Sequence, residues 1–142
     1  RSAGYRAALE EAGLTADVRY VVQGDGRPEQ GRAAAAALLE LGEPPTAIFC
    51  YNDMTALGAL AELAARGFSV PGDVSVAGFD DLFLARYSSP PLTTVHQPMR
   101  EMGRMALETL VRLCAGGASQ PTVKVAGELI VRKSTAPPRE DS

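Results

Sequence analysis

The chain has 142 residues, of which 46% are hydrophobic and 22% charged, with a formal net charge of −3. That length suits one domain with one core, burying roughly two-thirds of the surface of the unfolded chain. No lysine- or arginine-rich run offers an electrostatic footprint for nucleic acid, and no apolar stretch reaches transmembrane length. Cys50 and Cys114 are far apart and fit no CxxC spacing. Both read as small core hydrophobes, which favours a reducing compartment. The helical pattern is already under way at Arg1, so the chain is expected to start inside a larger protein.

In chain order, residues 3–12 read as a helix stopped by Gly13. Residues 18–22 are β-branched and aromatic and read as a strand. Pro28 suits the first turn of a helix that runs to about Leu41, with Gly42 as its stop. Pro44 and Pro45 break the chain before a short buried strand at 47–50. Asn52 and Asp53 open a helix ending near Gly67, with Asp53 available as the cap so that Asn52 is spared for other work. A turn at 71–73 precedes a strand at 74–79, and Asp80-Asp81 open a short helical stretch with Asp81 as its expected cap. Residues 88–94 are extended and proline-rich. Pro98 starts a long helix with an apolar face of Met99, Met102, Ala106, Leu110 and Leu113, ended by Gly116-Gly117. Residues 122–126 and 128–133 read as two final strands, a possible hairpin around Gly127, and the tail after Ser134 as loose.

Strand and helix alternate from residue 3 to about residue 86, the pattern of a parallel α/β sheet flanked by helices. Ligands of such sheets gather beyond the carboxyl ends of the strands. That singles out the loops at 24–28, 51–53 and 79–81.

Three chemistries fail on the residues. Gly24-Asp25-Gly26 lacks the third glycine of GxGxxG, since position 29 is Glu29, and Asp25 and Glu29 repel a phosphate. A nucleophilic triad has only His96 to draw on, with no GxSxG elbow; His96 reads as a turn or surface residue. One histidine and two distant cysteines make no metal set. Adjacent Asp80 and Asp81 point different ways at a strand end, so a catalytic pair is disfavoured; Asp80 remains either a turn former or a ligand acceptor. Arg1, on composition alone, is a frayed first residue.

Four segments carry a family resemblance: PTAIFCYNDMTALGAL at 45–60, VPGDVSVAGFDD at 70–81, PPLTTV at 90–95 and VRKSTAPP at 131–138. Together they resemble the LacI/GalR family of transcription regulators over nearly the whole chain. The resemblance implies the C-terminal lobe of a periplasmic-binding-protein-like type I fold, with effector bound between two lobes. Residues 1–95 and 118–142 would belong to this lobe, and residues 96–117 would cross back to an N-terminal lobe. That lobe, the lobe's own first strand and a DNA-binding headpiece would lie upstream. A fragment without them is expected to bind neither operator nor effector well.

Arg1, Asn52 and Asp80 match the family's effector contacts, and Met99 a pocket-lining apolar position. A guanidinium fork, a carboxylate and an amide suit a polyhydroxylated, sugar-like molecule. Where the family carries a stacking aromatic this chain has Gly26, and Tyr51, bulkier than usual at its position, partly compensates. The resemblance also implies a cytoplasmic homodimer joined through the helix after Asn52, with Leu57 and Leu60 at the contact; that helix is apolar nearly all round. No cofactor, enzyme activity or membrane contact is implied, and DNA would be met only through the headpiece. The rival reading is the solute-binding protein of a sugar transporter.

Overall fold

A computed structural model describes residues 1–118 and 122–137. The helix α1 (Ser2–Glu11) leads into α2 (Pro28–Leu39), β1 (Ala47–Phe49) and α3 (Asp53–Ala65). Then come β2 (Ser75–Ala77), β3 (Thr94–His96), α4 (Met99–Cys114) and β4 (Glu128–Ile130). Strands β1 and β2 pair in parallel, Ile48 opposite Val76, whereas β3 and β4 pair antiparallel, Val95 opposite Leu129. Parallel bridges at Ala77–Thr93 and Asp80–His96 join the two pairs.

Pro28 opens α2 where a missing backbone N–H costs nothing. Asn52 caps α3 by accepting the Thr55 N–H at 2.8 Å, and Gly67 at φ +80° follows its end. Both helices lie against the sheet, and Ala35, Leu38, Ala56, Ala59, Leu60 and Leu63 fill the core with Ile48, Val74 and Val76. The two helices cross with backbones in contact. A Cβ on Gly58 would fall 2.0 Å from the Pro28 carbonyl oxygen, and one on Gly31 would fall 2.2 Å from that of Thr55. This close crossing accounts for the surplus apolarity of α3: its second face is covered by α2.

Several sequence expectations need correction. Residues 18–22 form no strand; Val18–Tyr20 is a 3-10 turn whose first N–H groups are taken by Asp17, and Val18, Val21 and Val22 are exposed. β-branched residues favour a pleated surface only where a neighbouring strand supplies hydrogen bonds, and none of the described strands lies beside them. The proposed hairpin around Gly127 is absent as well, because residues 128–130 pair with β3 and residues 122–127 stay irregular. The stretch after Asp81 is a 3-10 turn, Phe83–Arg86, with Leu82 and not Asp81 at its start.

Nor is the segment after Ser134 loose. Ser134 is fully buried: its carbonyl accepts the Val76 N–H, its hydroxyl donates to the Val76 carbonyl, and it accepts the Thr93 N–H. Ala136 is tied on through the Ser75 hydroxyl. The segment therefore closes the edge of β2 that β1 leaves open, satisfying backbone groups that burial would otherwise orphan. Residues 138–142, the end of the expected tail, lie outside the described residues.

The helix α4 stands apart. None of its residues is buried, and Met102, Leu107, Leu110, Val111 and Leu113 are exposed. Its expected apolar face is thus present but uncovered by the described residues.

Candidate functional site

Two strand ends and the start of α1 converge. The Cys50 N–H donates to Ala77 and the Asp53 N–H to Phe79, which sets the turn at 51–53 beside the turn at 79–81. Across that junction lies the side chain of Arg1. Its Nη1 donates to the Tyr51 carbonyl at 2.9 Å and its Nη2 to Asp80 Oδ1 at 3.3 Å. The guanidinium stacks between two rings, 4.5 Å from the Tyr51 centroid and 4.0 Å from that of Phe79. Planar, weakly hydrated arginine is the cation suited to such a sandwich.

Asp80 is also reached by Gln97, whose Nε2 donates to Oδ1 at 2.5 Å. Both donors meet Oδ1. Among the described residues Oδ2 takes no hydrogen bond, and the side chain keeps 20% of its exposure. The cluster therefore presents a carboxylate acceptor, a guanidinium donor and the half-open face of an aromatic ring within one small area. Such a set binds hydroxyl-rich molecules well.

The loop is shaped by unusual backbone. Asp80 has φ +120° and Asp81 φ +54°, a region L side chains rarely adopt, though aspartate tolerates it better than most. Asp53 grips this loop from below. It is fully buried, and its carboxylate accepts the Leu82 N–H at 2.7 Å and the Thr94 hydroxyl. Asp81, instead of capping a helix, meets Arg132, His96 and Arg86. Burial pushes its pKa up, but the Arg132 guanidinium, helped by His96 and Arg86, outweighs it and holds the carboxyl below its ordinary value.

Of the residues singled out from the sequence, Arg1, Tyr51 and Asp80 come together. Asn52 adjoins them but is not spare: its Oδ1 caps α3 and its Nδ2 donates to the Gly26 carbonyl at 3.0 Å. Asp53, expected as the cap, is drawn inward. Gly26, at φ +85°, brings its backbone against the Tyr51 ring, since a Cβ there would lie 3.5 Å away. Tyr51 thus occupies the space beside the absent aromatic. Met99 is half-exposed at the start of α4, two residues past Gln97. Leu60 is buried in the chain's own core and Leu57 packs partly buried against it, so Leu60 offers no surface to a partner. Phe79 and Gln97 were missed. Gln97 lies two residues past the third motif, and its amide in a loop beyond a strand end was the available signal.

The periplasmic binding protein-like domain family matches residues 1–135. The HTH-type transcriptional repressor PurR of Vibrio atlanticus is 46% identical over 111 residues, 78% of this chain and 33% of that protein. The HTH-type transcriptional repressor CytR of Escherichia coli is 41% identical over 138 residues, 95% of this chain and 40% of that one. Among solved structures, a transcriptional regulator CelR–cellobiose complex superposes with a TM-score of 0.87 at 39% identity, over 92% of this chain and 40% of its own. The chain spans less than half the length of these relatives.

Proposed function

The chain belongs to the periplasmic binding protein-like domain family, in the form carried by LacI-type transcription regulators, and from that premise we propose that it senses a small polar effector for such a regulator. The observation that carries this reading is the Arg1–Asp80–Tyr51 cluster beyond the strand ends, where open α/β sheets hold their ligands. The effector is a hydroxyl-rich molecule of the sugar class. Asp80 Oδ2 accepts from its hydroxyls, Arg1 donates, and the Tyr51 ring meets its less polar side. Asn52 borders the same space, and the family resemblance assigns Met99 to its apolar side. Names of relatives that are transcription repressors favour this reading over a transporter's solute-binding protein and over an enzyme.

In the same reading, residues 96–117 reach toward a second lobe, and the exposed apolar side of α4 is the surface that lobe covers. DNA is contacted by other parts of the regulator, which acts in the cytoplasm as a homodimer with Leu57 near the contact. Sedimentation across a concentration series reads the dimer directly; a monomer at every concentration refutes it for this chain. For the site, a thermal-shift screen of mono- and disaccharides on the full-length regulator selects a ligand, and calorimetry then compares that regulator with its Asp80→Ala variant. Removing one partner of a charged hydrogen-bond set costs about 2–5 kcal/mol, a loss of well over tenfold in affinity. Equal affinity in the variant would take Asp80 out of the site.

A further inference from the structure

We infer that Arg132 is a positioning residue for the Asp80 site, acting through Asp81. The inference rests on the effector-site reading above and assigns a role to a residue far along the chain from the site itself.

Two successive non-glycine residues hold positive φ at 80 and 81, and a conformation of that kind persists only where its surroundings enforce it. The Asp80 N–H is fixed by the Val95 carbonyl at 2.9 Å and the Leu82 N–H by Asp53 at 2.7 Å. Between them, the Asp81 N–H has only a long 3.4 Å contact with the Thr94 hydroxyl. The backbone is thus held least well at Asp81, and there the side chain takes over.

Two guanidiniums, Arg132 and Arg86, and the His96 imidazole surround the Asp81 carboxylate, which is 5% exposed. His96 and Arg86 are 47% and 60% exposed, so water and salt screen their pull. Arg132 is 14% exposed and fixed on three sides. Its N–H donates to the Thr93 hydroxyl at 2.9 Å, its Nη1 to the Leu92 carbonyl at 2.8 Å, and its Nη2 to Asp81 Oδ1. A planar fork serves the Leu92 carbonyl and the Asp81 carboxylate from two separate nitrogens, whereas a lysine ammonium would have to reach both from one nitrogen at the end of a flexible stem. Asp81 is drawn toward β3 and the segment after β4, while Asp80 meets Arg1 and Gln97. Because the two residues share a peptide unit, a change in the setting of Asp81 turns Asp80 away from Arg1, and Arg1 leaves its place between Tyr51 and Phe79.

The test needs no ligand. Side-chain methylene protons of Arg1 lie near two aromatic rings, and their NMR shifts report whether the guanidinium stays there. Tyr51→Leu supplies the reference for a disturbed sandwich, and Lys133→Met, at an exposed neighbour of Arg132, the control. In Arg132→Lys we expect a dispersed amide spectrum, as in the parent chain, with Arg1 shifts moved most of the way to the Tyr51→Leu values. Asp81→Asn, which keeps an acceptor but loses the charge, moves them in the same direction. Arg1 shifts unchanged in a folded Arg132→Lys overturn the inference. Loss of the fold in both variants also overturns it, since Arg132 would then be a structural residue. If no ligand is found for the full-length regulator, the effector-site reading fails while these shifts still decide the role of Arg132.

Discussion

Alanine at Gly58 sets two known effects against each other, and the structure says which wins. In the interior of a helix, replacing glycine by alanine stabilises by about 1 kcal/mol. At Gly58 the added methyl carbon would stand 2.0 Å from the Pro28 carbonyl oxygen, where ordinary contact begins at 3.4 Å. The obstacle is backbone, not the tip of a flexible side chain, so α2 and α3 must part by more than an ångström. Overpacking of this kind costs about 1–3 kcal/mol and sometimes more. Parting the helices also loosens the neighbouring Gly31–Thr55 approach and pulls on the loop whose Gly26 carbonyl Asn52 holds. The net expectation is a destabilisation of about 2 kcal/mol, or roughly 6 °C in the thermal midpoint of a chain this size. Gly103 is the internal control. It lies within α4 with nothing within 4 Å of its missing Cβ, so Gly103→Ala should stabilise by up to about 1 kcal/mol. Urea unfolding followed by circular dichroism measures both. A Gly58→Ala chain as stable as the parent would mean that the helices do not touch as described.

Cys50 and Cys114 should differ sharply toward a thiol reagent. Burial, with the charge of Asp53 adding to it, pushes the Cys50 thiol up to about 12, whereas Cys114 is exposed. One thiol should react at once and the second only in denaturant; two fast thiols would contradict the burial of Cys50. Asp81 makes acid stability a third test. Its folded pKa is depressed below 3.8 despite burial, chiefly by Arg132, so its contribution is present above that value and lost as pH falls through the folded pKa. Stability should hold from neutral pH to about pH 4 and decline below it, and Asp81→Asn should flatten the decline; an unchanged slope would remove Asp81 as a contributor.

The elements legible from the sequence are those whose signals are local. Pro28, Asn52 and Gly67 mark helix ends through their own backbone chemistry, and the short apolar run 47–50 announced β1. The misreadings concern pairing partners, which no local window contains. Residues 18–22 have strand composition and no adjacent strand, and residues 128–130 join β3 instead of their neighbours in sequence. At the site, Tyr51 and Asp80 drew notice because the family motifs place them at strand ends, and Arg1 only through its match to the family's effector contacts; the structure brings the three side chains together. The division of labour between Asn52 and Asp53 was not legible. Both can cap a helix, and the choice rests on Thr94 and the Leu82 N–H, which lie 41 and 29 residues from Asp53. Gln97 was passed over because the third motif ends at residue 95.

The pairing of Ser134 with Val76 spans 58 residues, and this bears on how the protein is made. A ribosome delivers the helices α2 and α3 and the first two strands early, and that unit can collapse on its own local contacts. The edge of β2 away from β1 meets Thr93 first, and its middle at Val76 must then wait through the synthesis of about forty further residues for Ser134. During that interval Val76 leaves a stretch of strand edge unpaired, the kind of surface that recruits other chains. Closing so long a loop is also slow compared with forming a helix or a turn. Aggregation during synthesis should therefore respond to substitutions at 131–136 more strongly than the folded protein's stability does, and the strand edge shielded last sets the yield.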